Sequence, residues 1–556
     1  MERTYNDSMF IDTFEHEYTW LNGFLRNVKR YGSKPAVIDP EANLTLTYSQ
    51  LNCEANRFAN ALVKFGIKKN DVIMSVLKNC PEFCTCYIAP RKAGAILLAA
   101  NTSLASEEMA RLIDHNKPRI IVYSASTKET ILKAAETSSF KTELFVMADN
   151  LAKSEVPEGH ISFENFLEGN STDEPELKTR PHIYDEVIRL CTSGTTSLPK
   201  SVPINDINEV LSAHDVIMHY PMNCNDVTLN MTPWFHRGGV HSGGPCPTFY
   251  IGGAVVVMRT FKPQTALDWT EKYKISFIMG APANLEMLAR SQERNSRNLS
   301  SIRGIITMGG PLSRTDCIRY MGVLTPNIFN GYGTTETFWN SFLRPYNLPS
   351  AAGSVGYSCI DDETRIVKIN NEGKTEPNET VPMDGKTQGE VIIKCPEKTT
   401  YSYFENPEAE KEKFYKGWMY TGDMGTWDKN GLVTVCGRMD DMMLVSGENI
   451  YPQQVEEAIL RNSKVLDCIV TSVPDSVRGQ AVVAYVIPKD STLTVEELRD
   501  FCNSSTALSI YKRPRFYAFT EEIPYTATGK KQHNVMRKQA LEDYRNGKLY
   551  KSTPRN

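Results

Sequence analysis

The sequence predicts an α/β protein with a large N-terminal domain of mostly parallel sheets flanked by helices, followed by a smaller α+β unit. Three observations carry this expectation. Apolar runs of strand length recur through the first 435 or so residues: "RIIVYS" (119–124), "ELFVMA" (143–148), "GAVVVM" (253–258), "SFIMGAP" (276–282), "GIITMGG" (304–310) and "NIFNGYG" (327–333). Near-continuous runs of this kind suit parallel strands buried on both faces, and their alternation with helical patterns is the α/β signature. Second, the pattern changes after about residue 437. Third, 556 residues with 41% hydrophobic and 23% charged content can bury a large core and still carry a second unit.

Ligands in such sheets bind at the carboxyl ends of the strands, where "MGGPL" and "NGYGTTE" fall. In the second unit, "YPQQVEEAILRN" reads as a helix beginning near Pro452, and "VLDCIVTSVP" and "AVVAYVIP" read as strands. "TVEELRDFC" opens with a capping box, Thr494 with Glu497 three residues on. "FYAFTEEIP" is a further strand and "KQHNVMRKQALEDY" a last helix. The polar, glycine-containing "CGRMDD", Cys436 to Asp441, marks the boundary. The N-terminal domain is set at 1–437, a hinge at 438–440 and the C-terminal domain at 441–556.

Composition excludes several classes. The net charge of −4 and the lack of a basic stripe give no nucleic-acid partner. No window approaches about 18 consecutive apolar residues, so no membrane span is expected. The N-terminus is polar and acidic, without a secretion signal's basic start and apolar core. The thirteen cysteines lack framework spacing, which points to a reduced, cytoplasmic protein. Cys80, Cys84 and Cys86 are expected to pack rather than bind metal, since no second Cys/His pair stands near with zinc-ligand spacing.

"LCTSGTTSLPKS", Leu190 to Ser201, nearly spells the G-x-x-x-x-G-K-[ST] phosphate loop, but Pro199 replaces the second glycine. A proline there removes a donor and stiffens the bend. Thr192, Ser193, Thr195, Thr196 and Ser197 nevertheless supply hydroxyls, Gly194 lets backbone approach a ligand, and Lys200 adds a cation. Those are the groups a polyphosphate needs; an ordinary Ser/Thr/Gly turn is the competing reading. "NGYGTTE", Asn330 to Glu336, offers Tyr332 for base stacking, Thr335 for phosphate and Glu336 for Mg²⁺, against the plainer reading of a strand end with a helix cap. In "YTGDMG", Asp423 is expected in a tight turn where it accepts from two ribose hydroxyls. "GRMDDMMLVSGENIYPQQVE" (437–456) and "PYTATGKK", with Lys530, complete five elements.

In this order the five elements resemble the adenylate-forming acyl-CoA synthetase superfamily, from about residue 15 to 540; "LTYSQLNCEANRFANAL" and "KAGAILLAANTSL" are similar to its N-terminal region. The resemblance implies a small, mobile C-terminal domain. It also implies a two-step reaction. ATP and a carboxylic acid give acyl-adenylate and pyrophosphate; the small domain then rotates and a thiol releases AMP. It maps the phosphate loop onto Thr192 to Lys200, with Ser197 where a second glycine is usual. Tyr332 resembles the adenine-stacking aromatic, Thr335 the phosphate-binding threonine, Glu336 the magnesium ligand, and Asp423 with Arg438 the ribose-binding pair. Asp440 matches the hinge, and Lys530 the lysine bridging carboxylate and α-phosphate. Gly309, Gly310, Asn330, Gly331, Gly333 and Thr334 fall at strand ends facing the nucleotide and the acyl group. Tyr420 stands directly before "TGD", where an arginine is common.

His236, in "PWFHRGGVHSGG", resembles the histidine that borders the acyl and thiol sites in the acyl-CoA ligase branch; amino-acid-activating domains place an aspartate there. His241 reads as a packing residue. "GTTETFWNSFLRP", "GRMDDMMLVSGENIYP" and "DFCNSSTALSIYKRPRFY" resemble 4-chlorobenzoate:CoA ligase and its aryl relatives most, so an aromatic or arylalkanoic acid leads, with medium-chain or alicyclic acids next. Ser446 and Gly447 suit a pantetheine tunnel, and Arg478 a CoA phosphate. The implied small molecules are thus the acid, ATP, Mg²⁺ and coenzyme A, and a homodimer is kept open. Three alternatives remain: delivery of the adenylate to a carrier-protein thiol or to oxygen, a P-loop kinase or GTPase, and a sensor that binds nucleotide without catalysis.

Overall fold

A computed structural model describes residues 7–177, 179–192, 200–370, 373–446, 448–475, 478–505, 507–526 and 529–551. Among these, two large sheets form the N-terminal part. One has nine strands and the other seven. In the first, Pro35–Asp39, Ala254–Val256, Val227–Asn230, Phe277–Gly280, Gly304–Met308 and Ile328–Thr334 run parallel. Antiparallel strands close both edges. In the second, Val72–Val76, Ile96–Ala99, Ile120–Ser124, Leu144–Ala148, Ile161–Ser162 and Glu186–Cys191 are parallel, and Ser201–Asn205 returns antiparallel. Val72–Val76, Ile120–Ser124 and Gly304–Met308 are buried at every position, as continuous apolar runs require.

Helices join the two sheets. Tyr48–Phe65 starts at a capping box, Thr47 with Gln50, and stops at Gly66 in the left-handed conformation. It buries Leu51, Ala55, Phe58, Ala59 and Leu62, one stripe at helical spacing. Those residues share a core with Val37 and Val255 of the nine-stranded sheet and Ile73, Leu97 and Ile120 of the seven-stranded one.

The sheets are mixed rather than uniformly parallel. A five-stranded sheet, Glu363–Val367, Gly389–Lys394, Phe414–Tyr415, Trp418–Trp427 and Val433–Arg438, is wholly antiparallel. Alternation with helices does not reveal this segment, because its strands follow one another with only short helical interruptions. Beyond it, Met439–Asp441 is a single 3₁₀ turn, and Met443–Val445 opens the last, six-stranded sheet. That sheet is built on the long hairpin Val465–Asp475 with Gly479–Pro488 and covered by Pro452–Ile459, Val495–Ser504 and His533–Arg545. Both halves of the Thr494/Glu497 box are made. All thirteen cysteines are free; Cys80, Cys84 and Cys86 are fully buried. No described helix is long and apolar enough to cross a membrane.

Candidate active site

The parallel strands Gly304–Met308 and Ile328–Thr334 end at a cleft of roughly 2610 Å³ between the large and small units. Thr192, Lys200, Gly309, Gly310, residues 330–336, Asp423, Arg438, Asp440 and Lys530 line it together. The chain leaves the first strand through Gly309 at φ +79°, a conformation that favours glycine. A Cβ at Gly309 would lie 3.9 Å from Lys530 Cε, so the lysine of the small unit reaches the strand end of the large one. Gly310 faces the Pro282 ring.

The second strand turns back sharply. A Cβ at Gly333 would fall 1.5 Å from the Phe338 carbonyl oxygen, so only glycine allows this close hairpin. The Thr337 N–H donates to Thr334 Oγ1, and the two threonine hydroxyls are 3.0 Å apart. The segment after Asn330 is therefore a return into the antiparallel strand Phe338–Leu343, not a helix cap. The Asn330 amide is spent on the Ser354 carbonyl at 3.0 Å, and Gly331 backs onto the Trp339 indole.

From the same strand end the Tyr332 hydroxyl donates to Asp423 Oδ2 at 2.6 Å, and Arg438 Nη1 donates to Asp423 Oδ1 at 3.0 Å. Burial, then the Asp423 charge, holds the Tyr332 phenol well above its usual range. Asp423 is not in a tight turn, as its Gly-Asp context suggested. It lies inside the strand Trp418–Trp427, directly opposite Arg438. Pairing with Arg438 on one side overrides the local turn signal; on the other side the register jumps from Tyr420 to Met424, so residues 421–423 bulge there, with Gly422 at φ +73°.

Glu336 is 7% exposed, and its Oε1 accepts the Tyr403 hydroxyl at 2.6 Å. Oε2 has no partner among the described residues. The Thr335 carbonyl accepts Arg237 Nη1 at 3.4 Å. Lys200 pairs with exposed Glu412 at 3.3 Å, and its carbonyl accepts the Thr192 N–H, closing the base of the loop. Ser193, Gly194, Thr195, Thr196 and Ser197 lie outside the described residues, as does Gly447.

His236 precedes the short helix Arg237–His241 and packs on Phe235 with ring centroids 4.6 Å apart. Its Nε2 is buried with no partner among the described residues. Burial first, and the Lys530 charge second, push it down to about 4, so it is neutral at ordinary pH. Lys531, next to Lys530, is engaged elsewhere: it pairs with Asp467 at 3.0 Å and Glu456 at 3.3 Å and donates to the Cys468 carbonyl. His533 Nε2 donates to Glu456 Oε1, 2.7 Å away. These anchors hold the segment that presents Lys530.

Ser446 and Arg478 are brought together by a backbone bond, Ser446 N–H to Arg478 carbonyl at 2.8 Å, but they stand apart from the cleft lining. Two further features had no sequence signal of their own. One is Tyr403. The other is a buried cluster in which Glu209 accepts from Tyr87, Arg91 and His241. His241 is thus buried as expected, but in an ionic network.

The AMP-binding enzyme family matches residues 24–404, and the C-terminal domain of AMP-binding enzymes matches residues 454–530. 4-Coumarate–CoA ligase 1 of Solanum tuberosum is 26% identical over 521 residues, covering 91% of this chain and 90% of its own. Long-chain-fatty-acid–CoA ligase FadD13 of Mycobacterium tuberculosis is 26% identical over 508 residues, covering 91% and 95%. Among solved structures, anthranilate CoA ligase AuaEII in complex with anthranoyl-AMP superposes with a TM-score of 0.84 at 24% identity, covering 95% of this chain and 98% of that one. The amide bond synthetase McbA of Marinactinospora thermotolerans does so with 0.80 at 23%, covering 94% and 100%. These last two likenesses speak to the fold. Nothing in these matches supports the P-loop kinase or GTPase alternative. With the family matching both parts of the molecule and most of its length, the chain belongs to the AMP-binding enzymes.

Proposed function

We propose that the protein is an AMP-forming carboxylate:CoA ligase acting on an aromatic or arylalkanoic acid. The observation that carries the reading is the approach of Lys530 to the Gly309 turn, in the cleft that the Tyr332–Asp423–Arg438 group also lines. The curated relatives named above, both CoA ligases by name, support the acceptor, and one of them supports an aromatic acid.

In this reading Tyr332 stacks on adenine, and Asp423, steered by Arg438, accepts from the ribose hydroxyls. Lys200 and the loop from Thr192 take the β- and γ-phosphates, and Thr335 a phosphate oxygen. Lys530 holds the acid's carboxylate against the α-phosphate. A carboxylate facing a triphosphate is one anion attacking another, so fixed cations and exact orientation supply most of the catalysis. Mg²⁺ fits the donor set, because a hard cation takes oxygen ligands and Glu336 has a carboxylate oxygen to spare; it would offset the triphosphate charge there. Neutral His236 borders the acyl and thiol sites without adding a second cation beside Lys530. The adenylate is a good leaving group, so the thiol needs positioning rather than a protein nucleophile. Met439–Asp441 is the turning point, with Asp440 as hinge residue, and rotation about it brings Ser446, Gly447 and Arg478 to the coenzyme A entrance. The free cysteines suit a reducing, cytoplasmic compartment. Light scattering tests the homodimer.

The deciding experiment supplies ATP, Mg²⁺, CoA and a panel of carboxylic acids and follows AMP, pyrophosphate and acyl-CoA. AMP formation that requires both an acid and CoA is the expected result. Acid-dependent pyrophosphate exchange without an acyl-CoA overturns the acceptor, and ADP as product overturns the reaction class.

A further inference from the structure

We propose that Tyr403 is a positioning residue for the phosphate side of the site: its hydroxyl orients the Glu336 carboxylate and its ring seats the Lys200 ammonium. The inference rests on the assignment of Glu336 as the cation's ligand. Tyr403 is 3% exposed, its hydroxyl donates to Glu336 Oε1 at 2.6 Å, and Lys200 Nζ lies 5.4 Å from its ring centroid. One aromatic side chain therefore touches both groups on that wall.

Its backbone is fixed to the strand that begins directly after Lys200, Ser201–Asn205. The neighbouring Phe404 N–H donates to the Ser201 carbonyl at 2.9 Å, and the Thr400 hydroxyl to the Pro203 carbonyl at 3.1 Å. The Arg189 guanidinium stacks on the Phe404 ring at 3.6 Å. The Tyr403 N–H itself donates to Glu410 Oε1 at 2.9 Å. The ring and the lysine thus share one frame.

The hydroxyl occupies Oε1 and holds the carboxylate in one orientation, leaving Oε2 for a cation. Partners of this kind orient a metal ligand and fix the geometry it presents. The ring face attracts the ammonium, which keeps Lys200 extended over the site before nucleotide arrives. The two functions are separable, because phenylalanine keeps the ring and removes only the hydroxyl.

The test uses the full chain with Mn²⁺ as probe, its affinity for the enzyme–ATP-analogue complex read by electron paramagnetic resonance. Metal-free ATP affinity is measured by calorimetry. Tyr403→Phe is expected to weaken Mn²⁺ binding about tenfold, at the low end for loss of a ligand's supporting partner, with metal-free ATP affinity unchanged. Its kcat should recover at saturating metal. Tyr403→Leu should also weaken metal-free ATP binding, by about threefold, as loss of a cation–π seat predicts. A purely structural role would lower the melting temperature of Tyr403→Phe and leave Mn²⁺ affinity intact, which overturns the inference. Glu336→Gln separates the two levels. If it binds Mn²⁺ normally, the metal assignment fails and this inference with it; if only Tyr403→Phe binds normally, the inference alone fails.

Discussion

The Tyr332 hydroxyl and the Asp423 carboxylate meet across 2.6 Å, joining the end of a parallel strand in the nine-stranded sheet to the middle of an antiparallel strand in another. Arg438 completes the contact from the strand opposite, through Asp423 Oδ1. Both carboxylate oxygens are thereby held in place before a ribose arrives. Asp423→Ala should weaken AMP about ten- to a hundredfold, the range for losing hydrogen bonds to a charged acceptor (about 1.5–3 kcal/mol). Tyr332→Phe, which keeps the ring, should stay within about threefold of the parent. Tyr332→Ala should cost about 1–3 kcal/mol, as loss of base stacking does. Calorimetric titration with AMP reads all three. Equal affinities for Tyr332→Ala and the parent would remove the stacking assignment.

Adjacent lysines should give opposite phenotypes. Lys530 faces the cleft and anchors nothing through its ammonium among the described residues, so Lys530→Ala should bind AMP and melt normally. Its adenylation barrier should rise by about 2–4 kcal/mol, as when a preorganised charge donor is lost. Lys531 is tied to Glu456, Asp467 and the Cys468 carbonyl. Lys531→Ala leaves the buried Glu456 short of a partner, and about 3 kcal/mol of stability should go with it. Acid-dependent pyrophosphate exchange, paired with thermal melting of each variant, separates them. Normal exchange in Lys530→Ala would sink the catalytic role.

These contacts show what the sequence could and could not carry. The Thr494/Glu497 capping box was legible because both partners lie within one helical turn. The parallel strands were legible because burial on both faces makes each a continuous apolar run. Asp423 is placed by a partner the local sequence does not show: Gly-Asp signals a turn, and the strand position that pairs Asp423 is Arg438, 15 residues on, while the side facing Gly389–Lys394 keeps a bulge at 421–423. Lys530, Asp423 and Arg438 were found through family resemblance, since no spacing rule predicts that residues so far apart share a cleft. Tyr403 was invisible for the same reason. Its partner Glu336 is 67 residues away, and "TTYSYFENPE" has no pattern that sets this tyrosine apart from its neighbours.

Glu209 is fully buried and accepts from Tyr87, Arg91 and His241, with Arg91 also stacked on Trp20 and Tyr87. Burial alone would raise this carboxyl; His241 and Arg91, which both donate to it, outweigh that and hold it below its usual range, with Arg91 the standing charge because burial also lowers His241. Removing the carboxylate leaves the buried Arg91 cation without its counter-charge. Glu209→Gln should therefore lower stability by about 3–5 kcal/mol, measured as the shift of the main thermal transition. A methionine at this position should do no better, because Arg91 stays buried and unpaired. A melting temperature unchanged in both variants would mean the cluster is not an ionic one.

Two histidines should pull the pH dependence in opposite directions. Burial, then Lys530, lowers His236 from the usual 6.5 to about 4. The unfolded chain binds that proton more readily, so stability from His236 is complete above pH 6.5 and is lost as pH falls from there towards 4. For His533, burial would lower the ring, but its hydrogen bond to Glu456 and the charges of Glu456 and Asp441 outweigh this and raise it. Its contribution is present below pH 6.5 and is lost as pH rises through the raised value. Ring titrations followed by NMR test both signs at once. In Lys530→Ala the His236 midpoint should move up, because one of its two depressing causes is gone, while His533 keeps its own. A His236 midpoint near 6.5 in the parent, or one that ignores the loss of Lys530, would show that the lysine of the small unit does not reach this histidine in solution.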